Sequence, residues 1–349
     1  MKTAHISGRQ FFCLLLAGRL SNCLLLPADS VHALSVPDLI GVTVGNAVLL
    51  FLLIIPTAWA LRRGDKALTD CAISCSPFWG KIVGFGYVLA SLFILYLDML
   101  QFKKFAAGTV HAEFSVTLLI TLVGLAGFLA AFYGIQALGR TAAILAVGGA
   151  AVLLLLGALV FPRIKLLHFP PAVWNGFSTV TGQILKELPR TAEIVAVGAL
   201  YPCVKGKVLK SYTGFLVAVA ALTLFVCLVT TGVLGDYAGM TAYPFYTAVV
   251  AGVARFSPDL LVVVLWLGTF FARVALFGAV YLDHIRRLFG NRAGLPAIGI
   301  GTVVLVAAVL LSQRAPAQLW QIVTIAYGAV LAVFCIGIPL AFAKGGERT

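Results

Sequence analysis

Charged side chains are scarce in this chain, and several of them fall inside long apolar runs, where an ionisable group is costly and usually has work to do. The run over residues 171–203 carries Gly176, Ser178, Thr179, Thr181, Gly182 and Gln183 at its centre, then Lys186, Glu187, Arg190 and Glu193. Glu187 lies three residues before Arg190 and Glu193 three after it. Either carboxylate can therefore neutralise the arginine across one helical turn. Pro189 sits between them and prevents a clean helix. The run over residues 10–27 is interrupted by Gly18-Arg19-Leu20-Ser21-Asn22 and ends at Pro27. A helix broken at such residues exposes backbone N–H and C=O groups that a small polar ligand can satisfy. The alternative is a kinked helix, or an interfacial one, whose polar groups bond to neighbouring helices.

The remaining intramembrane polar groups are isolated. Arg273 stands near the middle of WLGTFFARVALFG and must find an anion or carbonyls in the interior. Asp98 lies toward one end of its run, where a solvated helix end is expected; Tyr87 and Ser91 lie deeper in the same run. Pro56 reads as a kink, and Gly41-x-x-x-Gly45 as a weak helix-packing signal. The seven cysteines and five histidines show neither the spacing of a metal site nor that of a redox motif. No P-loop, nucleophile elbow, zinc-protease motif or GxGxxG is present, so no enzyme, cofactor or metal is expected.

The elements that must position these groups are transmembrane helices. The 349 residues are 61% apolar and only 11% charged, too few polar residues to cover a soluble fold of this size. Spans of about 20 apolar residues fall near 10–27, 36–61, 79–102, 113–137, 142–161, 171–203, 211–235, 258–285, 293–312 and 317–341. Thr241–Arg255 is apolar but short and reads as a re-entrant or interfacial helix. Runs such as AAILAVGGAAVLLLLGALV lack the alternation of a barrel strand. Lys2, Arg9 and the apolar stretch after them resemble a signal peptide, but Arg19 and Asn22 interrupt it, and a first transmembrane helix is preferred.

The net charge of +13 follows topology rather than nucleic acid. With the N-terminus in the cytoplasm, inner segments hold 15 Lys and Arg, outer segments 6, and spans 4 (Arg19, Lys186, Arg190 and Arg273). That asymmetry puts both termini inside. No second domain is expected: residues 1–349 read as a single transmembrane domain. Ten spans divide into a first repeat over about 10–161 and a second over about 171–341. Five is odd, so the halves are inverted, as in many transporter folds. The expected fold is an all-α integral membrane protein, a 5+5 inverted repeat of the leucine-transporter type with helices 1 and 6 broken.

Five segments resemble, in order, the B subunit of bacterial spore germination nutrient receptors, a branch of the amino acid–polyamine–organocation transporter superfamily. They are ISGRQFFCLLLAGRLSNCLLLPAD at the first span, GKIVGFGYVLASLFILYLDMLQF at the third, YGIQALGRTA, ELPRTAEIVAVGALYPCVKGK at the end of the sixth, and GDYAGMTAYPFYTAVVAGVARFSPDLLVVVLW, with Pro244, Arg255, Asp259 and Trp266. Gln136 replaces the family's Glu, and DSVHALSVPD stands where the family carries a Gln-Asp-Ala-Trp-like stretch. The resemblance implies a nutrient sensor, the nutrient being a small molecule such as an amino acid. It implies an A-type membrane subunit and a C-type lipoprotein subunit as partners, in the inner membrane of the spore, with ion release as the output. The pocket is expected between spans 1 and 6, flanked by spans 3 and 8. Gly18, Arg19, Ser21, Asn22, Tyr87, Ser91, Ser178, Thr181 and Gly182 would bind ligand; Lys186, Glu187, Arg190, Glu193 and Arg273 would serve as hinge or coupling residues. An autonomous amino-acid permease of the same fold is the alternative.

Overall fold

The computed structural model describes residues 5–26, 28, 34–61, 67–109, 115–252, 258–312 and 319–342. Pro27, most of the stretch after the first span, Arg62, Arg63, Lys66, Arg255, Arg314 and both chain ends, with Lys2, Lys344 and Arg348, lie outside the described residues.

The described chain is almost wholly helical. Six of its helices are long and apolar enough to cross a membrane: α2 (Val36–Leu61), α4 (Pro77–Thr109), α6 (Ile135–Val160), α9 (Val208–Leu234), α11 (Asp259–Phe289) and α12 (Gly294–Leu311). Around them lie α1 (Gly8–Leu24), α3 (Leu68–Cys75), α5 (Val116–Phe132), α7 (Phe177–Glu187), α8 (Glu193–Leu200), α10 (Pro244–Gly252), α13 (Leu319–Ala332) and α14 (Ile338–Phe342). A π-helical turn, Val333–Gly337, joins the last two. Large apolar side chains such as Leu52, Leu118, Leu122, Ile144, Val147 and Val303 point outward. In lipid this costs nothing, because the solvent there is hydrocarbon.

The first helix sits at the centre. The Ile-Ser-x-x-Gln opening is a capping box: Gln10 N donates to Ser7 Oγ at 3.2 Å, and Ser7 N donates to Gln10 Oε1 at 3.0 Å. From Leu14 to Leu24 every side chain of α1 is buried. Small residues let neighbours approach. A β carbon on Gly18 would stand 3.5 Å from Arg273 Cα, and one on Gly149 would stand 3.0 Å from Leu20 Cδ1. The Gly41–Gly45 pair is a packing face, as its spacing suggests. A β carbon on Gly41 would meet the Trp174 ring at 2.8 Å, and one on Gly45 would meet Ile184 Cδ1 at 2.6 Å, which seats α7 on α2.

Two expectations about broken helices change. Span 1 is not broken at Gly18–Asn22: α1 is continuous over 17 residues and stops at Leu25. At 1.5 Å per residue it is about 25 Å long, short of the hydrocarbon thickness. Span 6 is broken, but later than its polar centre suggested. Helix α7 starts after Gly176, whose φ of 99° requires glycine. It ends at Glu187, and a short 3-10 turn, Leu188–Arg190, leads to Thr191 and then α8. The short apolar segment after α9 does form a separate helix, α10, nine residues long and packed on α9 and α6.

A two-residue parallel pairing joins β1 (Ile6–Ser7) to β2 (Val204–Lys205), with Ile6 opposite Val204. It ties the start of α1 to the chain just beyond α8. The side-chain amide of Gln136, the second residue of α6, donates to His5 O at 3.3 Å, beside this pairing. Nearby, Arg287 at the end of α11 bonds Asp70 of α3 at 2.7 Å.

Candidate functional site

The break between α7 and α8 opens onto α1. With no residue in helical register between Arg190 and Ala192, the Arg190 carbonyl turns toward the first helix. Arg19 Nη1 donates to it, and Asn22 Nδ2 donates to it at 3.4 Å. The unwound backbone is therefore satisfied by the polar middle of α1, and that is why α1 keeps its own helical bonds through Gly18–Asn22.

Beneath this contact lies a buried ion network. Glu193, the first residue of α8, stands 3.8 Å from Arg19 and is bonded by Arg273 Nη1. Arg273 Nε donates to Asp98 Oδ2 at 2.8 Å, and the guanidinium lies 5.3 Å from the centre of the Phe277 ring. One level up, Arg190 Nη1 donates to both oxygens of Glu187 at 2.9 Å. Glu187 thus neutralises Arg190 as its spacing allows. Glu193 does not; it bridges two arginines from other helices. Asp98 is not a solvated helix end: it is 5% exposed and paired. The chain α1–α8–α11–α4 is linked through four charges of which Arg273, at 1% exposure, is the most deeply buried. Arg273 and Glu193 each have two partners, so removing Arg273 strands Asp98, and removing Glu193 strands Arg19, in low dielectric.

A cavity opens beside Arg19 and Glu193. About 50 Å³ is open to the centres of water-sized molecules, room for several waters or one small polar molecule. Its polar wall is Arg19, Asn22, Thr43, Asn46, Glu187, Thr191, Glu193, Tyr212 and Thr223; Leu39, Val42, Leu50, Phe215 and Leu216 supply the apolar part. Among the described residues, Asn46 Oδ1 and the hydroxyl of Tyr212 are buried with no hydrogen-bond partner. Cys23 Sγ lies 3.6 Å from Thr223 Oγ1 across the same space.

The expected ligand residues divide. Arg19 and Asn22 line the cavity; Gly18 is used in packing against Arg273, and the Ser21 hydroxyl is turned onto Gly18 O at 3.1 Å. Glu187 and Glu193 line it too, whereas Lys186 is exposed. Ser178 is exposed, the Thr181 hydroxyl bonds Phe177 O at 2.9 Å, and a β carbon on Gly182 would meet nothing within 4 Å. These three sit on α7 outside the cavity wall. Tyr87 stacks on His284 at 4.5 Å, and Ser91 bonds Tyr87 O at 2.7 Å; neither reaches the cavity. The flanking walls come from α2 and α9, not from the third and eighth spans. Asn46, Thr43 and Tyr212 went unread in the sequence, although a lone amide at position 46 of an apolar span is itself a signal.

No protein-family model matches the chain, and no curated protein matches it. It is similar in structure to a nucleobase-cation-symport-1 family transporter solved in a closed conformation with bromovinylhydantoin bound. The TM-score is 0.55 at 12% identity, over 95% of this chain and 78% of that one. At that identity the likeness shows the fold: this is a multi-helix membrane protein built on the architecture of that transporter.

Proposed function

We propose that the chain crosses the membrane ten times, as two inverted halves of five with both termini cytoplasmic, and binds a small polar nutrient such as an amino acid in the cavity beside Arg19 and Glu193. The observation that carries this reading is the meeting of Arg19 and Asn22 with the Arg190 carbonyl at the break in span 6. A ligand there touches both moving parts of a discontinuous-helix fold. The inner face then gathers β1, β2 and the positively charged 205–210 segment, in keeping with the Lys and Arg asymmetry.

The finer role rests on the sequence resemblance. In that reading the chain is the nutrient-sensing subunit of a spore germination receptor, held in the spore inner membrane with an A-type membrane subunit and a C-type lipoprotein. Ligand binding favours one conformation by differential affinity, and the partners release ions. A second reading, an autonomous transporter, draws support from the structural likeness to a symporter.

The test is uptake by the purified chain in liposomes. A sensor binds labelled nutrient and does not accumulate it, with or without a proton or sodium gradient. Gradient-driven accumulation by this chain alone would select the transporter. Absence of any binding would reject both.

A further inference from the structure

The charges around the cavity balance. Arg19, Glu187 and Glu193 line the wall; Arg190, Arg273 and Asp98 stand behind it and complete the ion-pair set, three charges of each sign. The other buried carboxylate among the described residues, Asp38, lies outside the cavity wall. It is held by Ser35 Oγ at 2.8 Å and by Asn175 N at 3.1 Å. Lys186 points to the exterior.

Resting on the reading that the cavity holds a small polar molecule, we infer that it selects ligands of zero net charge, zwitterionic or uncharged, and that the Glu187–Arg190 pair sets this selectivity. A ligand with one net charge finds no spare counter-charge on the wall. It can only take a partner from an existing pair, and the displaced group is then left buried and uncompensated. A zwitterion brings both charges, and an uncharged ligand brings none. The Tyr212 hydroxyl and Asn46 Oδ1, which have no partner among the described residues, are the groups still able to gain a bond from either.

Glu187 and Arg190 are the pair that can be edited. Glu187 lines the cavity and is buried, while the Arg190 side chain is 23% exposed and reaches solvent without its partner. The Glu193 pairs offer no such escape. Glu187→Gln gives the site one net positive charge, Arg190→Gln one net negative charge, and the double variant restores zero.

The experiment measures equilibrium binding of L-alanine, L-asparagine, uracil, L-glutamate and L-lysine to the full chain in lipid nanodiscs. The wild-type chain is expected to bind one or more of the first three and to discriminate against glutamate and lysine by about tenfold or more. Glu187→Gln should shift preference toward glutamate and Arg190→Gln toward lysine. The double variant should return to the wild-type order. Monodispersity and melting of each variant show that it is folded, and the double variant separates charge from damage. Binding of uracil but of neither zwitterion supports the charge rule while rejecting an amino acid as nutrient. Wild-type binding of glutamate or lysine as tight as alanine, or single variants that keep the neutral preference, would overturn the inference. No binding of any probe would overturn both it and the cavity reading.

Discussion

Gly18 lies against the backbone of Arg273: a β carbon on Gly18 would stand 3.5 Å from Arg273 Cα and 3.6 Å from its Cβ. The first helix and α11 touch there at the level of the ion network. The glycine's task is close approach, and that orders the effects of substitution. Gly18→Ala is expected to be tolerated, since its methyl meets ordinary contacts. Gly18→Leu overpacks the crossing and should destabilise by about 1–3 kcal/mol. Gly182→Leu, in open space, should be neutral. Melting of the three variants in detergent checks the order; equal losses for Gly18→Leu and Gly182→Leu would contradict it.

Arg273 serves two carboxylates, so losing it should hurt more than losing one of them. Arg273→Met strands Asp98 and leaves Glu193 with Arg19 alone at 3.8 Å, and is expected to cost about 3–5 kcal/mol. Asp98→Asn leaves Arg273 with Glu193 and should cost less. In a double-mutant cycle the combined variant should fall short of the summed single effects by about 1–3 kcal/mol. Strict additivity would mean that the pair seen at 2.8 Å carries no coupling.

Tyr212→Phe separates binding from stability. The hydroxyl has no hydrogen-bond partner among the described residues, so its removal relieves a buried unsatisfied group. Melting should hold or rise, by up to about 1 kcal/mol, while affinity for the nutrient falls. A variant that loses stability and keeps its affinity would place the hydroxyl outside the site.

Sidedness is checked by cysteine labelling after the seven native cysteines are replaced. A cysteine at Lys207 should react only from the cytoplasmic side, and one at Gly239 only from the outside. The reverse pattern would turn the chain over.

The positions of the six long apolar helices, the separate α10, the Gly41–Gly45 contact and the interruption between α7 and α8 were legible because each depends on local composition. The break in span 1 was misread. Arg19, Ser21 and Asn22 have the look of a break, yet Arg19 and Asn22 bond the Arg190 carbonyl, the Ser21 hydroxyl bonds back to Gly18 O within the helix, and the backbone has no need to unwind. The Glu193 bridge was illegible for a different reason. Its partners lie 80 residues away at Arg273 and beyond the opposite end of the sixth span at Arg19, whereas the sequence offers Arg190 only three residues away. Asp98 and Arg273, 175 residues apart, each appeared isolated until the fold joined them. The α2 and α9 walls went unread because a single Asn or Tyr in an apolar run, although a signal in itself, has no spacing that says which helix it faces.

The little β1–β2 pairing has a mechanical consequence. Ser7 is pinned to Lys205, and twelve residues further along one segment and twelve back along the other, Arg19 is pinned to Glu193. Helix α1 and the chain from α8 to β2 are therefore two sides of a closed frame, fastened at both corners. Neither side can swing alone without opening a corner, and because Arg273 also bonds Glu193, one of those corners is fastened to α11 as well.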